Sequence, residues 1–255
     1  MEYDDRGIIS GGSHYFALTR TATYSYLAAL PLFLAYEILI LLVNGGSRAQ
    51  IRVGADIWIK QAMSVLGAPG IFSVGILVLL IGTAVFYAER KKQLPIHGRY
   101  FLAMIGESLF YAVIVAFVVS YIVGLVFAAD TGIFPARAMQ SSPIGKVEML
   151  VLSIGAGLYE ELVFRVLLVG GLFWGIQHFV SDKITAYIVA AVVGALAFSA
   201  VHYIGTLGDS FELSSFIFRF LFGLALNGLF LVRGFGVAAW THALYDVLVV
   251  SQILA

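Results

Sequence analysis

The feature that most constrains this chain is a series of apolar stretches long enough to cross a lipid bilayer. A spanning helix needs about 20 mostly apolar residues. Seven stretches reach or approach that length: 22–43, 71–88, 101–129, 146–178, 184–203, 213–232 and 237–254. Lipid admits only helices or closed barrels, and the ten-residue alternation of barrel strands is missing from the sequence. The sequence therefore predicts an all-α, polytopic transmembrane helical bundle of about seven spans, with six to eight allowed.

The composition agrees with a membrane location and excludes several other classes. Of the 255 residues, 61% are hydrophobic and 12% are charged, whereas soluble domains carry about 25% charged residues. The formal net charge is +0, whereas a nucleic-acid binder usually has an excess of basic residues. We therefore expect lipid and no nucleic acid as partners. The chain has no Cys, which excludes disulfides, thiolate metal sites and a cysteine nucleophile.

The loops give a prediction of orientation. The densest basic cluster lies between the second and third stretches, at Arg90, Lys91, Lys92 and Arg99. Basic loops usually face the cytoplasm, so we expect an integral protein of a bacterial or archaeal plasma membrane with its N-terminus inside. The loop with Arg48, Arg52 and Lys60 would then lie outside the cell, contrary to the preference of basic loops for the cytoplasm. Segment 55–66 has the pattern of a short interfacial helix with Trp58 at headgroup depth.

Charged side chains inside the apolar stretches are the informative residues. An ionisable group at the bilayer centre costs about 2.5–3.5 kcal/mol on insertion scales and usually marks function. Glu161 and Arg165 are four residues apart, a spacing that favours an ion pair on one helix face. Glu160 is rotated by about 100° from Glu161. We interpret Glu160 as the candidate for chemistry and the pair as its support; the alternative is a buried charge cluster that ties helices together.

A histidine on the next stretch is predicted to lie at the same depth as Glu160. Glu160 and His202 are equally distant along the chain from residue 181, in the polar turn between two stretches. Equal residue counts give equal rise along two antiparallel helices. A carboxylate and an imidazole that face each other can share a water molecule and act as a general base. The alternative is that His202 is a packing residue with a satisfied ring.

The last stretch carries His242 and Asp246, which share one helix face because they are four residues apart. The carboxylate could bond one ring nitrogen and leave the other free for a substrate or metal; a purely structural pair is the alternative. Counting from Gly234 places His242 only about 12 Å into its span, which is shallower than His202. Either the turn 233–236 dips into the membrane or the span boundaries are wrong. Glu37, Glu107 and Arg219 are further charges in apolar surroundings.

Three ordered motifs resemble those of the CPBP (Abi) family, which contains the CAAX prenyl endopeptidases and bacterial bacteriocin-processing relatives. They are Glu160-Glu161-x-x-x-Arg165, Phe198-x-x-x-His202 and His242-x-x-x-Asp246. The resemblance covers about residues 146–250. We therefore divide the chain into an N-terminal transmembrane region of about three spans, 1–145, without a recognisable motif, and a catalytic core, 146–255.

The resemblance implies an intramembrane endopeptidase that cleaves a membrane-associated or lipid-modified peptide or protein near its end, in one branch after a prenylated cysteine. It implies that Glu160 and His202 activate the attacking water. His242 and Asp246 occupy the positions that stabilise the oxyanion, where the prenyl proteases often have Asn instead of Asp. An ionised carboxylate would repel an oxyanion. Asp246 must therefore be protonated, orient His242 or serve as a ligand.

The resemblance leaves two possibilities for the cofactor, a bound zinc ion or no cofactor. Glu160, His202, His242 and Asp246 together offer donors that suit zinc. The His-Glu-x-x-His spacing of soluble zinc proteases does not occur in the sequence, and the family branch whose structure is understood resembles a metal-free glutamate peptidase. We expect no cofactor, with zinc as the alternative.

Two other classes of function compete with proteolysis. A non-catalytic membrane scaffold or bacteriocin-immunity type protein would have the same fold and a degraded site, whereas the motifs here are intact. A proton-coupled transporter would also place Glu, His and Asp in the bilayer, but it should show repeated halves with broken helices. The polar residues here crowd into the last 110 positions of the chain.

Overall fold

The computed structural model describes residues 11–45, 51–67, 70–127, 144–205 and 208–254, and these ranges form a bundle of helices. The helices of the N-terminal region are α1 (Gly11–Thr19), α2 (Ala22–Asn44), α3 (Gly54–Val65), α4 (Gly70–Glu89) and α5 (Gly98–Phe127), with a 3₁₀ turn at Arg90–Lys92. Those of the C-terminal region are α6 (Lys146–Gly155), two π-helical stretches (Ala156–Glu160 and Leu162–Val169), α7 (Gly170–Ile176), α8 (Lys183–Val201), α9 (Leu213–Arg233) and α10 (Phe235–Val250).

The bundle confirms the predicted all-α transmembrane fold. Helices overlie all seven predicted stretches; the last two residues of stretch 101–129 lie outside the described residues. Within the part of the chain that is described, α2, α5, α8 and α9 are long and apolar enough to cross a membrane, and α10 is a shorter apolar helix. The chain is therefore an integral membrane protein. The orientation of the chain in the membrane stays a prediction. One of the basic residues considered for that prediction, Arg48, lies outside the described residues.

Stretch 146–178 is too long for one minimal span, and the structure shows how it is accommodated. Helical geometry continues from Lys146 to Ile176, but its middle is π-helical rather than α-helical. A π stretch is a wider turn, often found at functional sites. Gly157 lies so close to α10 that an added Cβ would come within 2.5 Å of the backbone nitrogen of Ala243. The two segments can therefore approach closely, which brings the residues after Gly157 next to α10.

Helix α10 is the centre of the bundle, and it packs against α2, α5, α6, α9 and the first π stretch. Its first turns contain a run of small residues, in which Val237, Ala238 and Ala239 are fully buried. Small residues let helices approach closely in membranes. Because α2 and α5 also pack here, the N-terminal region supports the C-terminal one; the division at residues 145 and 146 stays a prediction.

The turn between α9 and α10 is packed against other parts of the bundle. Arg233 is 4% exposed, and its Nε lies 2.5 Å from the Glu107 carboxylate on α5. Gly234 has a φ of 85°, where a glycine is favoured, and it lies against Arg20 and Ser25. The two explanations offered by the sequence, a turn that dips into the membrane or span boundaries that differ from the predicted ones, both stay predictions.

One helix was missed by the sequence analysis. Helix α1 precedes the first span and packs against α2 and α5. The Tyr15 hydroxyl donates a hydrogen bond of 2.7 Å to Glu107. The short helix α3 corresponds to the predicted interfacial segment 55–66, and Trp58 is 45% exposed.

Candidate active site

Four side chains predicted from the motifs line one cavity of about 350 Å³. Glu160 is the last residue of the first π stretch, and His202 follows the last residue of α8. His242 and Asp246 both come from α10. The structure therefore brings together residues that are separated by more than 80 positions in the chain.

Glu160 and His202 face each other across this cavity. The distance from Glu160 Oε2 to His202 Nε2 is 4.0 Å, and their side chains are 17% and 27% exposed. Glu160 Oε2 is buried and has no hydrogen-bond partner among the described residues. A gap of this size is too long for a direct hydrogen bond, and one water molecule can bridge it.

The hydrogen bond on the other side of the His202 ring determines what the ring offers to the cavity. His202 Nδ1 lies 2.8 Å from the carbonyl oxygen of Phe198. A carbonyl only accepts, so Nδ1 carries the hydrogen, and Nε2 of the neutral ring is an acceptor. Glu160 Oε2 and His202 Nε2 are then two acceptors that can both receive hydrogens from one water.

His242 is held by Glu161. Its Nδ1 lies 2.8 Å from Glu161 Oε1, and its Nε2 lies 3.9 Å from Glu160 Oε2. Asp246 Oδ2 is 3.6 Å from the same Nε2, which is longer than a hydrogen bond. Among the roles that the sequence left open for Asp246 was a hydrogen bond that fixes the ring; in the structure Asp246 lies on the cavity side of His242, and Glu161 contacts the buried side.

Glu161 and Arg165 form the ion pair that supports this arrangement. Their closest atoms are 2.9 Å apart, and their side chains are 0% and 1% exposed. The Arg165 guanidinium lies 4.5 Å from the centre of the Phe198 ring. Glu161 therefore contacts both Arg165 and His242, and it links the ion pair to the cavity.

Aromatic rings pack against both histidines. The Phe198 ring lies 4.9 Å from the His202 ring and 5.7 Å from the His242 ring, with edge-to-face geometry. Phe222 contacts His242 from α9 at 5.6 Å. Such contacts restrict the orientation of the imidazoles. Phe198 therefore helps to hold the rings of both histidines in place.

The described residues include no group of three or more His, Asp or Glu side chains arranged to hold a metal ion. Both histidines use Nδ1 in the contacts described above, so each could offer a metal only its Nε2. The four residues predicted as zinc ligands do share the cavity.

An ion pair at the cavity, Arg219 with Asp209, was not predicted as part of the site. Arg219, noted in the sequence only as a charge in apolar surroundings, lines the cavity together with Asp209. The two form an ion pair between α9 and the segment before it. No motif signals Asp209; an acid ten residues before an arginine in an apolar stretch is the indication that the sequence offers.

Comparison with known proteins agrees with the geometry. Residues 144–248 match the family model described as type II CAAX prenyl endopeptidase Rce1-like. No curated protein and no solved structure matches the chain. The matched range contains every candidate residue of the cavity from Glu160 to Asp246. Residues 144–248 of this chain are therefore similar to the type II CAAX prenyl endopeptidase Rce1-like family.

Proposed function

We propose that this protein is an intramembrane endopeptidase that hydrolyses a peptide bond near the terminus of a membrane-associated or lipid-modified protein or peptide. The observation that carries the proposal is the pair of acceptors, Glu160 Oε2 and His202 Nε2, 4.0 Å apart in a cavity. The cavity is lined by aromatic residues and lies within the helical bundle. A water held between two such acceptors has its lone pairs free for attack on a carbonyl carbon.

The chemistry of the first step requires one proton transfer. As the water oxygen attacks the carbonyl carbon, Glu160 accepts a proton from it, and the carbonyl oxygen becomes an oxyanion. Collapse of the tetrahedral species breaks the carbon–nitrogen bond, and Glu160 returns the proton to the leaving amine. General acid–base catalysis of this kind contributes about 10²–10⁴-fold in rate. His202 orients the water through Nε2 because its Nδ1 is held by the Phe198 carbonyl.

His242 is the candidate for oxyanion stabilisation. Its Nδ1 is engaged by Glu161, so Nε2 can donate to an oxyanion only when the ring is protonated. Asp246, 3.6 Å from that nitrogen, would then stabilise the imidazolium rather than contact the oxyanion itself. A preorganised donor of this type typically accounts for about 10²–10³-fold in kcat.

The test is a cleavage assay with purified protein and a panel of internally quenched peptides, with lipid-modified members included. We expect cleavage by the wild type and loss of at least about 100-fold in kcat for Glu160→Gln and His202→Ala. Glu212→Gln, at an exposed glutamate that does not line the cavity, is the matched control and should retain full activity. Full activity in either cavity variant would exclude the proposed roles.

The same assay tests the cofactor. We propose that the reaction proceeds without a metal, because Glu160 and His202 suffice to polarise the water. Prior treatment with a strong zinc chelator should leave kcat unchanged. Loss of activity that returns with added zinc would instead assign Glu160, His202, His242 and Asp246 as ligands.

The proposed orientation places the cavity nearer the outer face of the membrane. Glu89, at the end of α4, accepts a hydrogen bond of 2.8 Å from the backbone of Thr23, so the basic turn Arg90–Lys92 lies beside the start of α2. Helix α9 reaches that end at Arg233 and begins at the opposite end, where Asp209 and His202 lie. Because the chain has no Cys, single Lys91→Cys and Glu212→Cys variants can be labelled in intact cells with an impermeant maleimide. Labelling of the Lys91→Cys variant, with no labelling of the Glu212→Cys variant, would show that the orientation is the opposite of the proposed one.

A further inference from the structure

The cavity contains a guanidinium group that the proposed mechanism does not use. Arg219 lines the cavity with Glu160 and His202, and its side chain is 17% exposed. It lies in the second turn of α9, and its guanidinium packs 5.1 Å from the centre of the Tyr203 ring. A charge in such a place is costly unless it is paired or has a function.

Only part of this guanidinium is paired. Nη2 donates to Asp209 Oδ2, but Nη1 is buried and has no hydrogen-bond partner among the residues that the structure describes. The hydroxyl of Tyr203, beneath the guanidinium, is likewise buried and unpartnered within the described ranges. Buried donors are nearly always satisfied in folded proteins, so two of them on a guanidinium and the ring it packs against indicate a place where an acceptor binds.

The other arginine of the cavity serves as an internal comparison. Arg52 lines the same cavity, but its Nη1 lies 2.9 Å from Asp56 and 3.9 Å from Glu37. Arg52 thus has two carboxylates within 4 Å, whereas among the described residues Asp209 is the one carboxylate within that distance of Arg219. Glu160 and Asp246 line the same cavity farther away, so Arg219 can accept a further anionic partner without losing the one it has.

The chemistry of the group identifies the ligand class. A guanidinium presents a planar set of donors that matches a carboxylate and binds it more strongly than a neutral acceptor. Along a peptide backbone every internal group is a neutral amide, and the C-terminal carboxylate is the one backbone anion. An acidic side chain is the other possible source of the same group.

We propose that Arg219 binds the C-terminal carboxylate of the peptide substrate and so fixes the distance between the scissile bond and the substrate's C-terminus. This inference rests on the proposed function. Asp209 orients the guanidinium through Nη2 and leaves Nη1 for the substrate. A protease with this device cleaves near a free C-terminus because the carboxylate has to reach Arg219 while the carbonyl lies at Glu160.

The experiment compares three forms of one peptide that the wild-type protein cleaves: a free C-terminal acid, a C-terminal amide, and an amide whose last residue is replaced by Glu. We expect the wild type to show a kcat/KM about 10- to 100-fold higher for the acid than for the amide, as for loss of a charged hydrogen bond. The Arg219→Gln variant should cleave the acid and the amide at equal rates, mainly because its activity on the acid falls. Arg219→Lys should keep part of the preference.

Asp209→Asn is the matched variant that separates substrate binding from a structural role. If Arg219 only ties α9 to the preceding segment, then Asp209→Asn and Arg219→Gln break the same ion pair, and each should lower cleavage of all three peptides in proportion. If Arg219 binds the carboxylate, Asp209→Asn keeps the preference for the acid and Arg219→Gln loses it. Thermal unfolding in detergent identifies a variant that fails to fold, in which case Arg219→Lys decides.

Each outcome is distinct from failure of the proposed function. Equal cleavage of acid and amide by the wild type, or a preference that survives in Arg219→Gln, overturns the inference while the protein remains a protease. Cleavage of the Glu-ended amide as fast as the free acid overturns the C-terminal source and assigns a side-chain carboxylate. Absence of cleavage of every peptide by the wild type overturns the proposed function itself.

Discussion

Two charged clusters lie in this bundle, and they differ in how their members are paired. The paired cluster consists of Glu37, Arg52, Asp56 and Lys60, on α2, on α3 and just before it. Lys60 lies 2.7 Å from Asp56 and 3.1 Å from Glu37, and Arg52 lies 2.9 Å from Asp56. The open cluster consists of Glu160, His202, His242 and Asp246, where the closest distances between these four groups are 3.6–4.0 Å.

The difference separates structural charge from charge that is available for chemistry. In the paired cluster two acids meet two bases, and each acid lies within 3.1 Å of a base. In the open cluster two carboxylates face two imidazoles at distances that one water or one substrate group can fill. Burial alone would not distinguish the clusters, since Asp56 is fully buried. Pairing distance does, because an ion pair already made offers no free site to a ligand.

The two clusters are connected through one residue. The Tyr159 hydroxyl donates a hydrogen bond of 2.6 Å to Glu37, and the next residue in the chain is Glu160. The Tyr36 ring, whose hydroxyl bonds Asp56, packs edge-to-face on Tyr159 at 5.3 Å. The paired cluster thus anchors the π stretch that carries the proposed base.

The largest effect should come from Glu160→Gln, and it should fall on activity alone. We expect kcat to fall by about 10²–10⁴-fold because the general base is lost. We expect the midpoint of thermal unfolding in detergent to stay the same or rise, because the substitution removes a charge whose Oε2 has no partner in the described structure. A large drop in the midpoint of unfolding would mean that Glu160 stabilises the fold as the charges of the paired cluster do. The two clusters would then not differ in their roles.

The sequence predicted the helices over the seven apolar stretches, though not α1, and the facing of Glu160 and His202 across the cavity, because both follow from local spacing. Apolar length defines spans, and equal distance from residue 181 placed Glu160 opposite His202. It did not predict the π stretches, which depend on the contact of Gly157 with α10. It also did not predict that Glu161 holds His242, or that Asp209 pairs with Arg219. Those contacts join residues 81 and 10 positions apart, and their geometry depends on how the helices and the segment before α9 pack.

Next in size, Glu161→Gln should lower stability more than turnover. Arg165 is 1% exposed, and a buried charge left without its partner costs about 3–5 kcal/mol. The glutamine oxygen can still accept from His242 Nδ1, so turnover per folded molecule should fall by less than about tenfold. Denaturant unfolding and active-site-normalised kinetics measure the two effects. Normal stability with a large loss of turnover would move Glu161 into the catalytic machinery.

Asp56→Asn should act in the paired cluster as a purely structural change. Its partners Arg52 and Lys60 are 20% and 15% exposed and keep Glu37 nearby, so we expect a loss of about 1.5–3 kcal/mol, as for hydrogen bonds to charged groups. Turnover per folded molecule should remain close to that of the wild type. A drop in turnover comparable to that of Glu160→Gln, without a change in stability, would show that the paired cluster takes part in the reaction.

The smallest of these effects, and the most diagnostic for the open cluster, is the ranking of two substitutions at Asp246. Asn keeps a polar group next to His242 Nε2 and can itself donate to an oxyanion, whereas Ala leaves that nitrogen facing an unfilled space. We expect Asp246→Ala to lower kcat by about 100-fold, the lower end for loss of an oxyanion donor, because His242 without the nearby carboxylate is less easily protonated at Nε2. Asp246→Asn should lose at most about tenfold, since the amide can donate to the oxyanion in place of the imidazolium. Equally large losses in both variants would mean that the negative charge itself is required, as it is for a ligand, and the open cluster would then be a site for a cation rather than for a bare water.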